Sequence, residues 1–151
     1  MTETATKTDT INDTPKEVVK AAIDKKQQKI VHVDPDCCLS AINPRSLEEL
    51  EWESLLPKVL SERGMFTTPL LLWKLDPAAP EWNVIGDRKF ASMPHKERER
   101  SFITIQGHRR GAVARHIKAS RQKFPADIVD NVQSVPAIVL SGITLDRAED
   151  L

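Results

Sequence analysis

The segment that most constrains the fold is a short apolar run that ends in a glycine and continues directly as an amphipathic helix. Residues 102–105 (Phe-Ile-Thr-Ile) have the β-branched and aromatic composition of a strand. Apolar residues then recur on one face from His108 to roughly Lys123, which predicts a helix. Gly107 lies between the two elements, where the missing Cβ lets the backbone approach a ligand closely.

Four other segments carry strand patterns. Runs of apolar or β-branched residues bounded by turn residues predict strands at 30–33, from about residue 70, at 82–85 and at 136–140. Gly86 ends the third of these strands, and the residues from 87 to 100 are charged and are predicted to be irregular. Together with the helices, these strands predict an α/β (α+β) fold with a small mixed sheet and flanking helices.

Helix signals occur between the predicted strands. A capping box at 46–49 starts a helix that breaks near Pro57, because proline removes a backbone donor and clashes inside a helix. A second short helix is predicted over 57–63 and ends at Gly64. Thr144 has a suitable side chain to cap the last predicted helix.

Length and composition predict one domain with a polar N-terminal tail. The chain has 151 residues, and its hydrophobic fraction of 40% is enough for a core that needs no disulfide or metal. Residues 1–14 are polar and rich in threonine, which predicts disorder, and Thr14-Pro15 is a start signal for a weak helix. We therefore divide the chain into a disordered tail with a weak helix at 1–29 and a domain at 30–151.

Cysteine usage and hydropathy predict a cytoplasmic protein. Cys37 and Cys38 are adjacent, which disfavours a disulfide between them, and the absence of a spaced cysteine framework is typical of intracellular proteins. No apolar run reaches the length of a membrane span and no signal peptide is visible, so a membrane is not an expected partner. His32 and His95 have no partners at metal-ligand spacing, so no metal site is predicted.

The strand–glycine–helix segment is the candidate phosphate-binding element. A helix start presents backbone N–H groups that have no partner within the helix, and its dipole favours an anion. Arg109 and Arg110 can add charge-assisted hydrogen bonds to phosphate oxygens, and His108 can contact the same anion. The alternative is that both arginines are simply solvated.

Positive charge is concentrated between residues 88 and 123, although the whole chain has 22 Lys and Arg against 22 Asp and Glu. Such a block can contact the phosphates of a nucleotide or of DNA, or it can be ordinary solvated surface. The candidate nucleic-acid contacts are Arg88, Lys89, Arg98, Arg100, Arg115, Lys118 and Arg121.

Several segments together resemble the N-terminal domain of ParB proteins, within the ParB/sulfiredoxin superfamily. Residues 42–45 (Ile-Asn-Pro-Arg) resemble its early Asn-Pro-x-Arg segment, and residues 55–69 resemble its helix before Gly-x-x-Gln-Pro and a strand. Residues 103–114 resemble its strand followed by Gly-Glu-Arg-Arg-x-x-Ala, and residues 135–151 resemble Val-Pro-x-x-Val and the next helix. The likeness spans roughly residues 30–151, and Gly-x-Arg-Arg is its most specific part.

The resemblance implies a nucleotide site. In ParB proteins the Gly-x-Arg-Arg region and the preceding Gly-x-x-x-Pro turn bind the phosphates of CTP with magnesium, and this closes a clamp on DNA. DNA is then the expected partner, in partition or in mobile-element DNA transactions, and a homodimer is a further candidate assembly. The implied contacts to CTP or another nucleotide with Mg²⁺ are Gly64, Thr68, Gly107, His108, Arg109 and Arg110.

The sequence also departs from the family pattern. His108 replaces the usual Glu and Thr68 the usual Gln, and we expect a C-terminally truncated domain because the Glu-Asn-x-x-Arg motif and the helix-turn-helix are missing. Sulfiredoxin chemistry is excluded because Gly107 occupies the position of the reactive cysteine. A nuclease or NTPase stays open as an alternative, as does a degenerate protein-interaction domain. Asp34 and Asp36 could form a nuclease carboxylate pair or a simple turn.

Overall fold

The computed structural model describes residues 29–42 and 52–151. Three sequence predictions lie outside these residues. They are the N-terminal tail with its weak helix, the Asn-Pro-x-Arg segment and the capping box at 46–49.

A mixed five-stranded sheet forms the centre of the described part of the chain. Its strands follow the order β1-β5-β3-β4-β2 across the sheet. β5 is parallel to β3 and antiparallel to β1, while β4 is antiparallel to β3 and parallel to β2. The strands are β1 (Val31–Val33), β2 (Cys38–Leu39), β3 (Leu70–Trp73), β4 (Phe102–Gln106) and β5 (Val135–Leu140).

Five α-helices and five short 3₁₀ helices surround the sheet in the described ranges. The α-helices are α1 (Leu56–Ser61), α2 (His95–Arg100), α3 (His108–Ala119), α4 (Ala126–Asn131) and α5 (Leu145–Asp150). The 3₁₀ helices are Pro35–Cys37, Trp52–Ser54, Pro80–Asn83, Ile85–Arg88 and Arg121–Lys123.

Apolar side chains cover both faces of the sheet, because successive residues of a strand point to opposite sides. Leu72 is buried in a cluster with Val113 and Ile117 of α3. Its neighbour Trp73 belongs to a second cluster, which contains the fully buried Trp82. The sheet therefore lies between a layer that contains α1, α3 and α4 and a second layer that contains α5 and the 3₁₀ helices of residues 80–88.

The sequence predicted most of these elements. The strands at 30–33, from residue 70, at 102–105 and at 136–140 are confirmed, with bounds that differ by one or two residues. The short helix before Gly64 is confirmed, and the Thr144 side chain caps α5 by accepting a hydrogen bond from the backbone N–H of Arg147. Sequence reasoning missed β2, which has two residues, and α4, which has six.

The strand predicted at 82–85 is wrong. This segment forms the 3₁₀ helices Pro80–Asn83 and Ile85–Arg88, with positive φ angles of 59° at Gly86 and 54° at Asp87. The Trp82 indole N–H donates to the carbonyl of Asp76 at 2.8 Å, which anchors the segment as a compact turn. Trp82 and Ile85 are buried by packing rather than by strand pairing, whereas Val84 is exposed.

Two other boundaries need correction. The region 87–100 is not wholly irregular, because α2 begins directly after Pro94. The helix predicted from His108 to about Lys123 is shorter: α3 ends at Ala119, and Arg121–Lys123 forms a separate 3₁₀ turn.

We expect Gly64→Ala to destabilise the protein more than Gly142→Ala. Both glycines have positive φ angles, 77° and 75°, so both substitutions carry the same backbone strain, about 1 kcal/mol. A Cβ at Gly64 would also lie 3.0 Å from the Ile128 carbonyl oxygen and 3.1 Å from Val132 Cγ1, whereas nothing lies within 4 Å at Gly142. Overpacking adds roughly 1–3 kcal/mol at Gly64. Urea unfolding measures the difference, and equal losses in the two variants would contradict this packing.

Candidate phosphate-binding site

Gly107 is held in its position by conformation and by packing. It has φ +99° as the residue that links β4 to α3, and its carbonyl accepts a hydrogen bond from the Gly111 N–H at 2.9 Å. A Cβ at Gly107 would lie 2.9 Å from both Leu70 Cγ and Arg110 Nη2. The glycine therefore allows β3, the start of α3 and the Arg110 guanidinium to meet at one point.

Arg110 joins the start of α3 to the loop before β3. Its Nη2 donates to the carbonyl of Pro69 at 3.2 Å. Its Nε is buried and has no hydrogen-bond partner within the described ranges. Burial lowers the pKa of the guanidinium, but arginine keeps its charge at neutral pH. The site thus contains a partly buried positive charge with unused donor capacity.

Arg109 is the exposed member of the pair. Its Nη2 donates to Ser54 Oγ at 2.7 Å, which connects α3 to the 3₁₀ helix Trp52–Ser54. An exposed hydrogen bond of this kind contributes little to stability, so the side chain can exchange Ser54 for another acceptor at low cost. Arg109 is therefore the more accessible of the two candidate phosphate ligands.

His108 is the first residue of α3, and its ring is partly buried. Nδ1 lies 3.3 Å from Ser40 Oγ. Burial, followed by the charge of Arg115, lowers the pKa of His108 to about 4, although a hydrogen bond to the Ile105 backbone opposes the shift. The imidazole is therefore neutral at pH 7, so the positive charge of the site comes from the arginines.

The two predicted contacts in the preceding loop lie in different surroundings. Gly64 is buried against α4, next to Ile128. Thr68 is exposed and directly precedes Pro69, whose carbonyl binds Arg110. The loop thus adjoins the start of α3 at its Pro69 end.

Two of the predicted nucleic-acid contacts hold the turn between β1 and β2. Arg115 Nη1 donates to the carbonyls of Cys38 at 2.9 Å and Pro35 at 3.3 Å. Lys118 Nζ pairs with the carboxylates of Asp34 at 2.7 Å and Asp36 at 3.1 Å. Asp34 caps the 3₁₀ helix Pro35–Cys37 by accepting from the Asp36 backbone N–H, and Asp36 lies within this helix, so the two residues belong to a turn.

Arg98 is also engaged inside the molecule. Its guanidinium donates to backbone carbonyls of Pro77, Phe90 and Ala91, and it lies 5.3 Å from the centroid of the Trp82 ring. These contacts tie α2 to the loops on either side of Trp82. The other four predicted nucleic-acid contacts have exposed side chains: Arg88, Lys89, Arg100 and Arg121.

Sequence reasoning missed the hydroxyl partners of the site. Ser40 and Ser54 reach His108 and Arg109 across 68 and 55 positions of sequence. Single serines leave no periodic pattern, so only the folded chain identifies them.

The described ranges contain no group of three His, Cys, Asp or Glu side chains placed to hold a metal ion. Cys37 and Cys38 are free thiols, and burial is the main cause that raises the pKa of Cys38 to about 12. None of the described helices has the length and apolar character needed to cross a membrane.

Comparison with protein-family models, with curated proteins and with solved structures gave no match.

We expect Arg115→Ala to destabilise the protein by about 2 kcal/mol, because it removes the partly buried guanidinium that donates to the carbonyls of Cys38 and Pro35. Arg121→Ala is the matched control, since Arg121 is exposed on the 3₁₀ turn that follows α3. Its effect should stay within about 0.5 kcal/mol. Urea unfolding of both variants checks this, and an Arg115→Ala protein as stable as wild type would show that these two hydrogen bonds are dispensable.

We also expect stability to fall between pH 6.5 and pH 4 because of His108. Its folded pKa of about 4 lies below the ordinary value of 6.5, so protonation in this window favours the unfolded chain. At pH 5 the loss amounts to about 1–2 kcal/mol relative to pH 7.5. His108→Gln should abolish this part of the pH dependence, while His95→Gln, at an exposed position, should not. Identical pH profiles for wild type and His108→Gln would rule the effect out.

Proposed function

We propose that this chain contains a ParB-like domain that binds the phosphate groups of a nucleoside triphosphate at the start of α3, with CTP as the first candidate. The observation that carries the proposal is the Arg110 guanidinium, which lies over Gly107 with a buried Nε that has no partner in the described part of the chain. Arg109 adds an exposed guanidinium next to it. A nearby phosphate would be attracted by both charges.

The helix itself favours an anion at the same place. α3 has 12 residues, so its peptide dipoles add up to a positive end at its N-terminus, and no side chain in the described ranges caps this end. The N–H groups of the first turn are therefore available to phosphate oxygens. Neutral His108 places no negative charge there, whereas the Glu usual in ParB proteins would.

The arrangement of the two candidate segments also supports the proposal. The loop before β3 and the start of α3 are the segments that the ParB resemblance assigns to the phosphates. They adjoin each other through the hydrogen bond from Arg110 to Pro69. The mixed α+β sheet is compatible with the ParB/sulfiredoxin fold, which we include in the proposal.

Titration calorimetry with CTP, ATP and GTP in the presence of Mg²⁺ tests the proposal. We expect saturable binding of at least one triphosphate, and Arg109→Ala should weaken it at least tenfold, because a charge-assisted hydrogen bond contributes about 1.5–3 kcal/mol. Arg110→Lys keeps a charge but loses the guanidinium geometry, and it should also weaken binding.

Arg147→Ala is the control, because it removes one exposed positive charge from α5 without touching α3. Thermal unfolding of each variant separates lost binding from lost folding. Failure of all three triphosphates to bind, or equal affinities in wild type and Arg109→Ala, would overturn the proposal.

Binding of DNA phosphates is a second candidate function, favoured by the exposure of Arg88, Lys89, Arg100 and Arg121. The same calorimetric titration tests this, with duplex DNA of unrelated sequence in place of the triphosphate and at several salt concentrations. Affinity for DNA must fall steeply with salt if these residues contact phosphates, because each contact releases counterions.

A further inference from the structure

His108 has surroundings that differ from those of an exposed histidine. It occupies the first position of α3, and its partly buried ring lies 3.3 Å from Ser40 Oγ. A hydroxyl can donate to a neutral imidazole nitrogen or accept from a protonated one, so Ser40 can serve either state of the ring. The Ile105 backbone favours the protonated ring, although burial and Arg115 outweigh it and lower the pKa of His108.

The charges near this ring are positive. Arg115 projects from the same helix and is fixed by the carbonyls of Pro35 and Cys38. Arg109 and Arg110 follow His108 directly in the first turn. Ser40 lies in the loop after β2 and Ile105 lies in β4, and neither the Ser40 hydroxyl nor the Ile105 backbone contributes a charge. In the free protein, therefore, no counter-charge in the described ranges offsets the cost of protonating this buried ring.

A phosphate bound at the start of α3 would change this balance. It would bring two or more negative charges within about one helical turn of the imidazole, where the partly buried setting weakens solvent screening. An anion favours the protonated form of a neighbouring histidine, and by linkage a protonated histidine favours the anion to the same extent.

We propose that binding of a phosphate group at the start of α3 is coupled to the uptake of one proton from solvent by the His108 imidazole, so that the affinity for the ligand rises as the pH falls. This inference rests on the proposed function. The proton enters on the lone pair of the unprotonated ring nitrogen, and no covalent bond forms or breaks elsewhere. His108 would then act as a pH-dependent positioning residue for the anion, a role that the acidic residue usual at this position could not perform.

Two measurements with CTP and Mg²⁺ test the coupling. The first is an NMR titration of the His108 ring between pH 4 and pH 8, with and without saturating ligand, and we expect the midpoint to rise by at least one pH unit on binding. The second is calorimetry at pH 5.5 in two buffers of different ionisation heat. It should show net proton uptake by wild type and substantially less by His108→Gln.

Titration of the CTP phosphates affects wild type and His108→Gln equally, so it cancels when the two proteins are compared. Relative to His108→Gln, the wild-type affinity for CTP should increase up to tenfold for each pH unit between the His108 pKa of the bound state and that of the free state. If CTP binds but the His108 midpoint and the relative affinities stay constant, the coupling is overturned while the proposed function stands. If CTP does not bind at any pH, both fail.

Discussion

Close packing at the junction of β4 and α3 organises the rest of this structure. Because Gly107 has no Cβ, Leu70 of β3 and the Arg110 guanidinium both approach its backbone. α3 can then lie across the sheet and bury Val113 and Ile117 against Leu72. A larger residue at this junction would clash with the Leu70 side chain of β3 and with the Arg110 guanidinium. The packing requirement and the candidate binding site therefore share the same residue.

The basic residues of α3 divide into two groups by what they contact. Arg115 and Lys118 lie towards the turn between β1 and β2, where they bind its carbonyls and carboxylates. Arg109 and Arg110 lie at the first turn, where Arg109 is exposed and Arg110 keeps a buried Nε without a partner in the described ranges. The positive charge of α3 thus serves two purposes: the first pair holds a turn, and the second pair is the candidate site for an external anion.

Residues 76–100 show how structural and surface roles combine in one segment. Arg98 fixes the segment by binding three backbone carbonyls beside Trp82. This internal contact leaves Arg88 and Lys89 exposed on a turn with positive φ angles. The segment covers the second face of the sheet, on the opposite side from the α3 layer.

The sequence by itself determined the elements whose signals are local. Four strands have β-branched or apolar runs, and Gly64, Gly107 and Thr144 mark helix boundaries through their own backbone or side-chain chemistry. The tertiary structure alone decided that residues 80–88 form turns, because Trp82 and Ile85 are buried in the second core cluster without pairing to a strand in the described ranges. It also decided which arginines are internal, because their acceptors at Pro35, Cys38 and Pro69 lie 41 to 80 positions away. Contacts between distant residues depend on the packed chain, and local sequence patterns do not encode them.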